Sequence, residues 1–83
     1  MKPYTYAFTS SCGEGRQLPM RAHEDREGAI HWGQSLLGNE VVRALTSGED
    51  PVGASVTVFE GSNQFLGAWN YDDEGCMVWA EGQ

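Results

Sequence analysis

Eighty-three residues, with 12 Asp and Glu against 5 Lys and Arg, carry a net charge of −7; 40% are apolar and 20% charged. Three each of Trp, Tyr and Phe argue against a disordered acidic tail, which lacks the side chains that offset backbone ordering. A chain this short hides only about 60–65% of the surface its unfolded form exposes, which argues against a large enzyme with a deep cleft and predicts one small domain over residues 1–83.

Tyr4, Tyr6 and Phe8 alternate with Thr5, Ala7 and Thr9, so residues 3–10 read as a strand. The run Ser10-Ser11-Cys12-Gly13-Glu14-Gly15 is turn chemistry and predicts a hairpin. Its second arm, residues 17–22, places Leu18, Met20 and Ala22 on one face and Pro19 on the other. A missing N–H at Pro19 suits an edge strand.

From Glu24 the spacing turns helical. Ile30, Gly33, Leu36, Leu37 and Val41 follow steps of three and four, with Trp32 off that stripe, and Glu24, Asp25 and Glu27 occupy the first turn, where the helix dipole favours anions. Gly38-Asn39 predicts a stop and a new N-cap, hence a second short helix over residues 40–45. Ser47-Gly48-Glu49-Asp50-Pro51 then reads as a loop.

The last third predicts a three-strand meander. Residues 54–60 form its first strand and Gly61-Ser62-Asn63 a short turn. Residues 64–71 alternate Phe65, Gly67, Trp69 and Tyr71 against Leu66, Ala68 and Asn70. Asp72-Asp73-Glu74-Gly75 turns into a final strand over residues 76–80, with Met77 and Trp79 opposite Val78. The expected fold class is α+β: an antiparallel sheet of four to five strands, with one longer and one short helix on one face.

Charge is distributed unevenly. Residues 1–43 hold five acids and five cations, whereas residues 44–83 hold seven acids and no Lys or Arg. A surface of this kind disfavours direct contact with nucleic acid or an anionic membrane and favours a basic partner. Antiparallel connectivity sets the start of strand 54–60 beside the end of strand 64–71, so Glu49, Asp50, Asp72, Asp73 and Glu74 should gather at one end of the sheet. Glu60 and Glu81 should fall roughly 20 Å away at the other end. Adjacent connections about 4.8 Å apart would space these acids on the scale of successive phosphates along a nucleic-acid strand.

Other chemistries are weakly signalled. The acids lack EF-hand spacing, and His23, His31, Cys12 and Cys76 hold the ingredients of a zinc site without its spacing, so no metal and no cofactor are expected. No nucleophile elbow, phosphate loop or dinucleotide fingerprint is present, and a non-enzyme is expected. Cys12 and Cys76 read as reduced thiols, buried or half-buried. No apolar run approaches the roughly 20 residues that cross a bilayer, and residues 1–6 lack the apolar segment of a signal peptide, so the chain reads as soluble and cytoplasmic.

With Glu49-Asp50, Glu60, Asp72-Asp73-Glu74 and Glu81 uncompensated after Arg43, the chain resembles the small acidic anti-CRISPR proteins of phages and mobile elements. The resemblance covers size, acidity and α+β layout and contains no diagnostic motif. It implies a bacterial host cytoplasm, a partner that is a basic DNA-binding protein such as a subunit of a type I CRISPR surveillance complex, and inhibition by an acidic, DNA-mimicking patch. Asp72, Asp73, Glu74, Glu49 and Asp50 would supply the electrostatics, with Trp69 or Tyr71 as an apolar anchor near the same end. The alternatives are an acidic module for another basic nucleic-acid-binding protein or a toxin, and a structural domain whose charge keeps it soluble.

Overall fold

A computed structural model describes residues 1–82. Its chain order is β1 (Lys2–Thr9), β2 (Gly15–His23), α1 (Arg26–Thr46), β3 (Ser55–Glu60), β4 (Gln64–Tyr71) and β5 (Met77–Glu81). The strands form one antiparallel sheet in the order β2-β1-β3-β4-β5. The α+β class and the hairpin-plus-meander layout are as expected, with five strands. No helix of the described residues is long and apolar enough to cross a membrane.

The expected pair of helices is one helix of 21 residues. Gly38 keeps helical backbone, and the chain runs through Gly38-Asn39 without a break. Burial overrides the local stop signal: Ala29, Gly33, Leu37 and Val41 make a single buried stripe along the helix, and interrupting it would expose Val41. The true start is Asp25, an N-cap whose Oδ1 accepts the Gly28 N–H at 2.8 Å, so Glu24 precedes the helix and Glu27 alone of the three acids lies in the first turn. Its end is a Schellman motif. The Gly48 N–H reaches the Leu45 carbonyl and the Glu49 N–H the Ala44 carbonyl, with Gly48 at φ 76°, a region that glycine enters without a Cβ penalty.

Two bulges alter the expected side-chain faces. A register shift between Tyr4 and Tyr6 leaves Pro19 and Met20 opposite Thr5, so Leu18 and Arg21, not Met20, pair with the helix-facing Tyr6 and Tyr4. A second shift, between Val58 and Phe59, turns Phe65 to the face away from the helix while Leu66 enters the core. Trp32, off the apolar stripe in the sequence, packs against the core at its margin under the Arg21 guanidinium.

The helix covers one face of the sheet, and Tyr4, Tyr6, Leu37, Val56 and Val58 form the fully buried centre. Packing is close at two glycines. A Cβ on Gly33 would lie 2.8 Å from Val58, and one on Gly67 would lie 2.5 Å from both the Ala80 carbonyl oxygen and the Trp79 ring. The Gly67 contact involves backbone, which cannot rotate aside. Gly67→Ala is therefore expected to destabilise the protein by about 2–3 kcal/mol, read as a lower urea midpoint at unchanged m-value; an unchanged midpoint would contradict this packing.

On the opposite face, register places Thr5, Ala7 and Thr9 of β1 beside Phe59, Thr57 and Ser55 of β3. Ala68 and Asn70 of β4 follow, and then Ala80 and Val78 of β5. Every charged strand residue (Lys2, Arg16, Arg21, Glu60 and Glu81) takes the helix-side parity instead.

One polar group is built into the core. Tyr6 is fully buried, and its hydroxyl donates to the Ala29 carbonyl at 3.2 Å and meets His23 Nε2 at 3.1 Å, so His23 Nε2 carries the proton of that second bond. Burial, with a smaller contribution from Tyr4 and partial opposition from Arg21, pushes the Tyr6 phenol up to about 12. For His23, burial first and Arg21 second hold the imidazole below its usual value, with Asp25 opposing. The unfolded chain thus takes up a proton near pH 6.5 while the folded chain resists it, so His23 costs no stability above about pH 6.5 and destabilises as the pH falls below it. The thermal midpoint is expected to fall less between about pH 7 and 5 in His23→Gln than in the unaltered protein. Parallel declines would rule out His23 as the source.

Candidate functional site: an acidic end of the sheet

Antiparallel pairing brings three connections to one end of the molecule. The end of β1 pairs with the start of β3, Thr9 opposite Ser55, and the start of β3 pairs with the end of β4, Ser55 opposite Asn70. Beyond these pairs, the Gly53 N–H donates to the Tyr71 carbonyl at 2.9 Å and the Tyr71 N–H to the Ala54 carbonyl at 3.0 Å. The Ser11 hydroxyl donates to the Asp50 carbonyl at 2.7 Å, tying the β1–β2 turn to the loop before β3. Glu49, Asp50, Asp72, Asp73 and Glu74 therefore share one end, as antiparallel connectivity requires.

Glu14 belongs to the same end and was overlooked in the sequence. It sits in the β1–β2 turn, where its N–H donates to the Ser10 hydroxyl at 3.1 Å and its carbonyl accepts the Ser10 N–H at 2.8 Å. The hairpin predicted from Gly13 and Gly15 was the signal that placed it there, once β1 is known to lie beside β3. The C-terminus of α1 points to this end as well, adding the partial negative charge of its last carbonyls.

Each connection is locally rigid. Asp72 Oδ1 accepts the N–H groups of Glu74 and Cys76 at 3.0 and 2.8 Å, and the Gly75 N–H closes the turn onto the Asp72 carbonyl. Asp50 Oδ1 accepts the Val52 N–H at 3.0 Å. Asp72 and Asp50 thus shape their own loops, whereas Glu49, Asp73 and Glu74 are exposed carboxylates without a side-chain hydrogen bond or ion pair among the described residues.

Four of the five cations pair with acids outside the three connections. Lys2 lies 3.7 Å from Glu60, and Arg26 pairs with Glu81 at 2.5 Å, both at the far end. Arg16 and Arg43 converge on the half-buried Glu40 at 2.6 and 4.0 Å. Arg21 lies over the Trp32 ring at 4.1 Å. Acids paired in the fold are thus Glu40, Glu60 and Glu81; those of the acidic end make no ion pair among the described residues, although Arg16 and Arg43, held on Glu40, line the same surface hollows as Glu14 and Glu49. Among the described residues, no three His, Cys, Asp or Glu side chains converge as a metal site requires, so these carboxylates share a surface without forming a chelate.

The two aromatic residues behave differently from the acids. Trp69 faces the helix, its indole N–H donating to the Ile30 carbonyl at 2.7 Å and its ring tilted against Trp79 at 5.4 Å. Tyr71 is half-buried on the same face, and its hydroxyl would lie 3.5 Å from a Cβ on Gly75, so the ring extends beneath the acidic turn. Val52, between Asp50 and β3, is an exposed apolar side chain among the acids, 39% accessible, which no periodic pattern marks because it lies in a loop. Both Cys12 and Cys76 are free and exposed, contrary to the expectation of buried or half-buried thiols, because each lies in a turn and not on a strand.

What this end can do is electrostatic. It offers six carboxylates on three braced connections and the negative end of a helix, a potential that attracts cationic surfaces and repels polyanions. Set against known protein families, curated proteins and solved structures, the chain matches none.

Proposed function

We propose that this chain is a non-catalytic inhibitor that docks its acidic end into the basic DNA-recognition surface of a CRISPR surveillance complex in the bacterial cytoplasm and keeps target DNA out. The observation that carries this reading is the concentration of charge: six carboxylates on three joined connections make no ion pair among the described residues, whereas Glu40, Glu60 and Glu81 are paired and the remaining acids, Glu24, Asp25 and Glu27, flank the helix N-terminus. Such complexes hold DNA in channels lined by Lys and Arg, so a rigid acidic end competes for the same groups. No bond is made or broken. Glu49, Asp73 and Glu74 meet the partner's cations, Asp50 and Asp72 brace the loops that carry them, and Val52 supplies apolar contact. Trp69 supports the end from within, and Tyr71 backs the turn.

Competition is the test. Adding the protein to a purified type I surveillance complex is expected to raise the apparent Kd for target DNA in proportion to its concentration, leaving the amplitude at saturating DNA unchanged. Association of the two proteins is expected to slow at least tenfold between about 50 and 500 mM salt, as the Debye length contracts from roughly 14 to 4 Å. Unimpeded DNA binding across complexes of several type I subtypes would refute the assignment. Binding instead to a basic nuclease, repressor or toxin in a parallel panel would move the same surface to a different cationic partner.

A further inference from the structure

The face of the sheet that the helix leaves uncovered carries no charged residue at any paired strand position, in a chain with 17 Asp, Glu, Lys and Arg. Two features make it more than a bare surface. Phe59 and Phe65 form an edge-to-face pair with ring centres 6.0 Å apart at the end remote from the acids, and Phe65 is 46% accessible. Small residues, Thr9, Ser55 and Asn70, occupy the end nearest the acids. One end of this face is therefore raised and aromatic, and the other is low.

We propose that this face packs against the same face of a second copy of the chain, with the two sheets stacked and their acidic ends pointing in opposite directions. Charge favours the face: each copy carries −7, and here two copies can approach over the whole width of the sheet without opposing carboxylates. It also selects the orientation. A two-fold axis along the strands would superimpose the two acidic ends. An axis across the strands separates them by roughly the 20 Å length of a strand and brings the Phe59–Phe65 pair of each copy onto the low end of the other, the reciprocal fit of an isologous interface.

Five strands about 4.8 Å apart and six residues long make a footprint of roughly 480 Å² per copy, so about 1,000 Å² in all, the lower bound of a specific interface. The dimer is accordingly weak, with a dissociation constant in the micromolar range. Self-pairing through the free edge of β5 is a poorer arrangement. Antiparallel alignment about Trp79 would bring Glu81 of each copy towards Met77 and the Asp72–Glu74 turn of the other.

Sedimentation equilibrium between about 1 and 500 µM tests this. The expected result is a mass rising from 9.1 kDa towards twice that value, with more dimer at higher salt because the long-range force between copies is repulsive. Thr57→Arg, in the middle of the face, is expected to weaken association at least tenfold. Phe65→Ser, at an exposed position outside the buried core, should do the same and carries the test if the arginine variant fails to fold. A monomer at every concentration overturns the proposal, as does a dimer that survives Phe65→Ser in folded protein, which would put the contact at the β5 edge or elsewhere.

Discussion

Replacing Glu49, Asp73 and Glu74 together by lysine is expected to weaken binding to the surveillance complex at least about a hundredfold, by the loss of close charge pairs each worth more than 1 kcal/mol, with the thermal midpoint unchanged or raised. Each substitution changes the charge by two, taking the chain from −7 to −1 and reversing the sign of its exposed acidic positions. These three are chosen because their carboxylates support no backbone. Reversing Asp72 would confound the result, since losing the acceptor of the Glu74 and Cys76 N–H groups would open the turn as well as change the charge. Asp72→Asn keeps that acceptor and removes one charge, so it should weaken binding several-fold while retaining the fold. Crowded like charges are the reason for an unchanged or raised midpoint: relief of repulsion among the acids offsets any lost contact. Binding equal to that of the unaltered protein, measured by surface plasmon resonance on the same complex, would exclude the acidic end as the contact surface.

Trp69→Ala is expected to cost about 3–5 kcal/mol, enough to leave much of a domain this small unfolded at 37 °C. Its ring lies between Trp79 and the helix, with Cδ1 only 3.3 Å from where a Cβ on Gly33 would stand, and its N–H bonds the Ile30 carbonyl. Truncation would open a cavity beneath the middle of the helix, beside Val58, and neither Gly33 nor Gly67 carries a side chain able to collapse into it. Trp69→Phe keeps most of the apolar contact and loses the hydrogen bond, so a cost of about 1–2 kcal/mol is expected. Urea unfolding followed by circular dichroism separates the two, and similar small losses in both variants would show that the indole is not buried as described.

These two predictions also mark how much of the molecule was legible in its residues. Period-two alternation, with β-rich composition over residues 54–60, located the strands, and the glycine- and Asp-rich turns between them were found because backbone at positive φ, as at Gly13, Gly61 and Gly75, needs those residue types whatever surrounds it. Placing five acids at one end needed only the rule that consecutive antiparallel strands alternate in direction. The helix was harder. Gly38-Asn39 carries a real local preference to stop, worth about 1 kcal/mol, and a stripe of buried contacts outweighs it. Ser47-Gly48, with the same residue chemistry, does end the helix because residues 45–50 are all exposed and no buried stripe outweighs the stop there.

Local composition and order were enough to establish the α+β class, the hairpin and meander, the single net sign of the second half and the common end of its acidic turns, since each depends on neighbours in the chain. The pairing of β1 with β3, the bulges that turn Phe65 outward and Arg21 inward, the capture of Arg16 by Glu40 and of Lys2 and Arg26 by Glu60 and Glu81, and the uncharged outer face all depend on contacts between residues distant in sequence. A side chain's face flips with a one-residue change in register, and a charge is neutralised only by what folding brings within a few ångströms. Those outcomes are set by three-dimensional packing, because no short window of residues contains both partners.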